Sequence, residues 1–381
     1  MIGYLVVTLV AAALTAMLVP LSMRVADRFQ VIAEPDAERR LHLRPTPLLG
    51  GVAMCVGVIG ALAVASRMVQ FGEMFASSSQ AVGVAAGVAI ITSVGVFDDA
   101  VEVSAPAKVA GQVLAGSVMY GLGVHLDQLQ LPFGGTLVFS PDLIPLVSVL
   151  WVILMTNAVN LIDGLDGLAA GIVGIASTSF FVYSTRLFDQ QIITGSNIGP
   201  LVAAITAGVC LGFLPFNWNP AKVFMGDAGA LLLGLLLAVS TMVVGGNAVP
   251  GVSVSGQQYF FFAPLLVPFL LLAVPMVDVA LAVVRRTVNR TGIATADRQH
   301  IHYRLLELGH GPRRAVVILW SLTVVLSGFA LVPVFIASRL ALVPLVVALV
   351  AIVLLTLAHP DLREQRRLRR LEKNPAQPAP H

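Results

Sequence analysis

The chain has 381 residues, of which 57% are hydrophobic and only 11% charged, at a mean hydropathy of +0.90; soluble domains carry roughly 25% charged residues. That excludes an ordinary soluble enzyme, and the sequence also lacks the polar low-complexity stretches of a disordered or fibrous chain. The formal net charge is only +3, and the two cysteines, Cys55 and Cys210, lie inside apolar stretches. This leaves no disulfide framework or cysteine metal site, and the placement of the basic residues argues against nucleic acid as a partner.

Crossing a bilayer takes about 20 apolar residues in a helix. Runs of that kind predict an all-α polytopic membrane protein with eleven spans, near 2–23, 48–66, 80–97, 106–124, 143–160, 167–184, 198–216, 228–246, 258–284, 315–334 and 339–358. No basic residue precedes the first run and the positive charges begin after it, at Arg24, so it reads as a retained helix with its N-terminus outside. With that orientation, 20 of the 23 Lys and Arg residues fall on the inner side, and only Arg67, Arg186 and Arg339 lie outside. The asymmetry places the C-terminus in the cytoplasm. Residues 125–142 alternate around Gly134 and Gly135, which fits a small outer hairpin with a Gly-Gly turn or a plain loop. The basic stretch 361–373 fits a surface helix on the inner leaflet or a loosely ordered tail.

Carboxylates at the lipid boundary are costly and are kept for function or pairing. Four predicted inner loops hold nearly all of them: VFDDAVEVS at 96–104, NAVNLIDGLDGLA at 157–169, FNWNPAKVFMGDAG at 216–229 and DRQHIHYRLLELGHG at 297–311. Asp98 and Asp99, with Glu102 one helical turn on, could hold a divalent cation or share a proton, or could form a solvated helix end. Asn157, Asn160, Asp163 and Asp166 recur every three residues, with Gly164 and Gly167 after the two aspartates, a spacing that aims several oxygen ligands into one pocket. Asp227 either caps the following helix or, with Lys222 nearby, serves a cation and phosphate site. These hard oxygen donors suit magnesium rather than zinc. His300 and His302, among Arg298, Arg304, Arg313 and Arg314, form a donor-rich segment suited to a diphosphate. An i, i+2 pair of histidines shares no helix face, so phosphate contact is favoured over metal.

These four loops, in this order at the cytoplasmic edge of eleven spans, resemble the polyprenyl-phosphate N-acetylhexosamine-1-phosphate transferases. The resemblance covers about residues 1–358, implying one transmembrane catalytic domain there and a basic cytoplasmic tail at 359–381. Carried over by residue, it implies that Asp227 and Asn160 coordinate Mg2+, with Mn2+ as a substitute. It places Asp98 and Asp99 beside the reacting lipid phosphate, with Asp98 as base, and Lys108 on phosphate. It further puts Asp166 at the uracil ring, Asn157 and Asp163 in the same pocket, and Arg44 near the nucleotide. The histidine segment is similar to the HIHH form of the enzymes that use UDP-N-acetylglucosamine, with Tyr303 in place of the last His.

The implied reaction, in a bacterial cytoplasmic membrane with the site facing the cytoplasm, has undecaprenyl phosphate attacking the β-phosphorus of UDP-N-acetylglucosamine. It gives a lipid-linked diphosphate sugar and UMP, the first membrane step of a cell-envelope polysaccharide. Membrane lipids are the other expected partners, and a homodimer is compatible with this reading. Whether Asp98 is a base or a covalent nucleophile is left open by the residues. The rivals are the same chemistry on UDP-N-acetylmuramoyl-pentapeptide, and a secondary transporter. A transporter would carry midplane charges, whereas Asp278, seven residues before Arg285, is the one acidic residue well inside a predicted span.

Overall fold

A computed structural model describes residues 1–33, 45–131, 135–191, 193, 196–246, 305–306, 310–336 and 339–357. Among these are eleven α-helices: α1 (Ile2–Phe29), α2 (Gly50–Ala65), α3 (Gly72–Ser77), α4 (Gln80–Val101), α5 (Ala105–Gly121), α6 (Ile144–Ile162), α7 (Leu168–Asp189), α8 (Gly199–Asn217), α9 (Gly226–Gly246), α10 (Pro312–Phe335) and α11 (Val343–Leu357). Seven are long and apolar enough to cross a membrane, and an eighth span arises if α2 and the 93°-bent segment Val69–Ser77 are one broken crossing. The chain is a multi-pass membrane protein. Helices α5 and α11 stand where spans are predicted but are shorter. The predicted span at 258–284, with Asp278, and the tail at 359–381 lie outside the described residues.

Helix α1 shows how the bundle is built. Its buried residues Gly3, Val7, Ala11, Thr15, Val19, Ser22 and Ala26 recur every three or four positions and form one narrow stripe of mostly small side chains. The stripe packs on α2 and α8, while Leu5, Leu9, Met17 and Leu21 on the other faces are exposed. An apolar surface all round is what a helix between protein and hydrocarbon requires. Helix α9, by contrast, is buried along its length, with α2, α4, α6 and α8 around it.

Close approach to α9 depends on missing side chains. A Cβ on Gly234 would lie 2.6 Å from the carbonyl oxygen of Met155 in α6 and would also strike the Thr156 backbone. Gly234→Ala therefore forces α6 and α9 apart and should cost about 1–3 kcal/mol, as overpacking does. The measurement is the melting temperature in detergent, which should fall below that of wild type.

Two small antiparallel ladders complete the fold. β1 (Ile32–Ala33) pairs with β2 (Thr46–Pro47), and β3 (Gln128–Leu131) pairs with β4 (Gly135–Val138). The second is the predicted outer hairpin. Gly135 is already paired opposite Leu131 and so belongs to the ladder; residues 132–134 lie outside the described residues.

Candidate active site

Neighbouring antiparallel helices bring alternate ends together, so the C-termini of α4, α6 and α8 meet the N-termini of α5, α7 and α9 at one end of the bundle. Helix α4 runs on to Val101, one turn past the predicted edge, and this puts Asp98 and Asp99 in its last turn. Successive residues on a helix point about 100° apart, so the two carboxylates diverge.

Asp98 accepts a hydrogen bond from the Val103 N–H at 2.8 Å and pairs through Oδ2 with Lys108 Nζ at 2.6 Å. The same ammonium pairs with Asp227 Oδ2. The side chains of Asp98, Lys108 and Asp227 are 14%, 19% and 25% exposed, so the group is shielded yet reachable. Asp99 turns the other way: its Oδ1 accepts from the Asp227 N–H at 2.7 Å and its Oδ2 from the Ala228 N–H at 3.2 Å. Glu102 is exposed and ends α4 in a left-handed conformation (φ 50°), so it does not join this group.

The second polar loop arrives from α6. Asn157 donates from Nδ2 to Gln112 Oε1 at 2.9 Å and to the Ile153 carbonyl at 2.7 Å, tying α6 to α5 one turn beyond Lys108. Asn160 lies one turn further along, and its carbonyl accepts from the Asp163 N–H at 3.3 Å. Asp163 follows the helix end. Loss of water around it, together with the charges of Asp227, Asp99 and Asp166, pushes its carboxyl up to about 7.

That shift has a testable sign. An unfolded Asp loses its proton near about 3.9, so from there to about 7 the folded chain holds a proton the unfolded chain has lost. Stability then falls as pH rises through this window. Without divalent cation, Asp163→Asn should melt above wild type at about pH 8, and thermal melts should show the gap closing toward about pH 5.

Asp166 is committed to the loop between α8 and α9. Its Oδ2 accepts from Asn219 Nδ2 at 2.8 Å and from the Ala221 N–H at 3.0 Å. Asn217 completes the clamp by accepting from the Gly167 N–H at 2.9 Å and donating to the Val223 carbonyl at 3.0 Å. Arg313, at the start of α10, donates from Nε to the Asn219 carbonyl at 2.9 Å. Lys222 is exposed on this loop.

Three of the four predicted loops therefore converge, and Asp98, Asp99, Lys108, Asn157, Asn160, Asp163, Asp166 and Asp227 share one end of the bundle. Arg44, His300, His302, Tyr303 and Arg304 lie outside the described residues. Sequence reasoning passed over Gln112, Asn217 and Asn219. Gln112 carried a readable signal, an amide four residues after Lys108 inside an apolar helix.

Among the described residues, no three His, Cys, Asp or Glu side chains converge as a closed metal site. The set is nonetheless rich in hard oxygen donors, with Lys108 balancing both Asp98 and Asp227. Bound anions and their counter-ions, rather than a thiol or imidazole chemistry, suit such a group.

The glycosyl transferase family 4 model matches residues 81–245, the stretch that carries α4 to α9. The chain is 35% identical over 317 residues, 82% of its length and 79% of the relative's, to a "Decaprenyl-phosphate N-acetylglucosaminephosphotransferase" of Mycobacterium leprae (strain TN). It is 29% identical over 329 residues, 86% and 84% of the two chains, to a "Probable undecaprenyl-phosphate N-acetylglucosaminyl 1-phosphate transferase" of Bacillus subtilis (strain 168). A "Phospho-N-acetylmuramoyl-pentapeptide-transferase" of Clostridioides difficile (strain 630) is 28% identical over 324 residues, 80% and 89% of the two chains. With its carboxylate and lysine cluster at the end of an apolar helix bundle, the chain belongs to glycosyl transferase family 4 and is a membrane-embedded sugar-phosphate transferase.

Proposed function

We propose that this enzyme transfers N-acetylglucosamine 1-phosphate from UDP-N-acetylglucosamine to undecaprenyl phosphate, at the cytoplasmic face of a bacterial inner membrane. The observation that carries the reading is Lys108 held between Asp98 and Asp227 where the apolar bundle ends. There a lipid phosphate anchored in the bilayer can meet a soluble nucleotide. The N-acetylglucosamine donor is taken from the names of the 35% and 29% relatives, and the cytoplasmic face from the predominance of Lys and Arg in the predicted inner loops. The product would begin a cell-envelope polysaccharide.

In this reaction a lipid phosphate oxygen forms a bond to the β-phosphorus, and the bond from that phosphorus to the bridging oxygen breaks, so that UMP leaves with the electron pair. Asp98 takes the proton if the lipid phosphate arrives protonated, and otherwise orients it through Lys108. Lys108 lowers the repulsion between the two anionic reactants, which is electrostatic catalysis of the kind that dominates phosphoryl transfer. Asn157, tied to Gln112, fixes the register of α6 beside α5.

The donor set fits Mg2+, for which Mn2+ could stand in. The carboxylates of Asp98, Asp163 and Asp227 gather at this end of the bundle, where Lys108 pairs with Asp98 and Asp227. Loss of water around Asp163, added to by the neighbouring carboxylates, keeps it partly protonated near neutral pH. Asp227 and Asn160 would hold the ion, which would supply neutralisation of the diphosphate.

The nucleotide end of the site is assigned to the 217–223 loop clamped by Asp166. Asn219→Ala removes one of the donors to Asp166 and should raise KM for the UDP-sugar about tenfold with a smaller change in kcat, the pattern of lost uniform binding. Steady-state kinetics with each substrate varied would show it. A panel of UDP-sugars offered to purified protein with undecaprenyl phosphate and Mg2+ tests the donor assignment. UDP-N-acetylglucosamine should be used best, and preference for UDP-N-acetylmuramoyl-pentapeptide would replace this reading with that of the 28% relative.

A further inference from the structure

The adjacent carboxylates Asp98 and Asp99 do different work, and we propose that Asp99 is a positioning residue that caps α9 from a neighbouring helix and so fixes Asp227 against Lys108. This deepens the proposed phosphate-transfer site and rests on that reading. Both Asp99 oxygens are already engaged, by the Asp227 N–H at 2.7 Å and the Ala228 N–H at 3.2 Å. Those are two of the N–H groups that an α-helix start leaves without an internal partner. Asp98, one residue earlier, meets the ammonium of Lys108 instead.

Packing around the contact supports a fixed cap. Gly95, one turn before Asp99 on α4, lies so close to α9 that a Cβ there would come within 2.6 Å of the Asp227 carbonyl carbon. Gly226, which opens α9, has φ +65°, and a Cβ on it would collide with the Asp99 carboxylate and come within 2.6 Å of the Leu48 carbonyl oxygen. The backbone N–H groups of Gly50 and Gly51 also donate to the carbonyls of Phe224 and Met225, at 3.0 and 2.9 Å. The first turn of α9 is therefore held from two sides by α2 and α4, with Asp99 as the hydrogen-bonding end of that grip. Asp227 can then keep its place beside Lys108 while substrates come and go.

The test is a comparison of Asp99→Asn with Asp99→Ala. Asn is a good helix cap and keeps one acceptor oxygen for the Asp227 N–H while giving up the bond from the Ala228 N–H, but it can serve neither as a base nor as an anionic metal ligand. Asp99→Asn should stay folded and keep kcat within about tenfold of wild type, whereas Asp99→Ala, which lets Asp227 drift, should lose about 100-fold or more, the scale of a 1 Å misplacement. A readout without turnover is Mn2+ binding followed by electron paramagnetic resonance. Its affinity should be close to wild type in Asp99→Asn and weakened in Asp99→Ala, with KM for the UDP-sugar little changed in both.

The proposal is overturned if folded Asp99→Asn is as inactive as Asp99→Ala, because Asp99 would then act on the reactants directly. It is overturned equally if Asp99→Asn fails to fold, since Asn still accepts from the Asp227 N–H, the shorter of the two hydrogen bonds, or if Asp99→Ala matches wild type. Wild-type protein that made no lipid-linked product would sink the transferase reading instead, and the Mn2+ comparison would still decide the role of Asp99.

Discussion

Asp98→Asn should cut sugar-phosphate transfer by about 1,000-fold in kcat, within the range expected when a proton-accepting or charge-orienting group is lost. The substitution keeps the shape of the side chain, so the Val103 N–H still finds an acceptor and the last turn of α4 should remain intact. What is lost is one of the two carboxylates that hold Lys108. The ammonium then leans on Asp227 alone and no longer stands between the reactants. Because Asp98 is placed at the lipid phosphate and not at the nucleotide, KM for the UDP-sugar should change by less than about threefold. Steady-state kinetics together with a melting curve would check this. A tenfold rise in that KM with kcat unchanged would mean that Asp98 binds the nucleotide instead.

Lys108→Ala should be as damaging for a different reason. It leaves Asp98 and Asp227 side by side with no ammonium between them, and like charges at that range resist joint ionisation. Removing one partner of a shielded ion pair also strands the charge of the other. A loss of about 1,000-fold in kcat, equivalent to ~4 kcal/mol at 1.36 kcal/mol per tenfold, is expected. Lys108→Arg should recover only part of it, since a planar guanidinium cannot take the place of a compact ammonium between two carboxylates. Full activity of Lys108→Ala at saturating substrate would show that the ammonium is dispensable to the chemical step.

Much of this architecture was legible in the sequence because the bilayer imposes a length and a polarity on each helix. The apolar runs near 80–97, 143–160, 167–184 and 198–216 appear as α4, α6, α7 and α8, with ends displaced by a few residues. Those displacements matter at the site. A window based on hydropathy ends at the first aspartates, whereas the backbone of α4 continues through them to Val101 because helix hydrogen bonding does not stop at a charge. That is how Asp98 and Asp99 come to point apart.

The convergence of the polar loops was legible because carboxylates and amides recur where apolar runs end. Their individual duties were not. Nothing in the pair DD at 98 says that one residue faces an ammonium and the next a helix start, and nothing in FNWNPAKVFMGD says that Asn217 and Asn219 grip the turn at 166–167. The contacts of Asp99 with α9 and of Asn217 and Asn219 with that turn join residues 50 to 129 positions apart and leave no local pattern. The Gly-Gly reading of the outer hairpin shows the same limit. Gly134 and Gly135 favour a turn in isolation, but Gly135 is paired opposite Leu131 in the ladder.

Transfer of the sugar together with its phosphate is the claim on which the rest depends, and UDP-N-acetylglucosamine labelled with 32P at the β-phosphorus tests it most directly. Incubated with the purified protein, undecaprenyl phosphate and Mg2+, the label should pass into a lipid-extractable product while unlabelled UMP is released in equal amount, and Asp98→Asn should suppress both. Label left in water-soluble UDP, with a sugar on the lipid but no β-phosphate, would contradict the account.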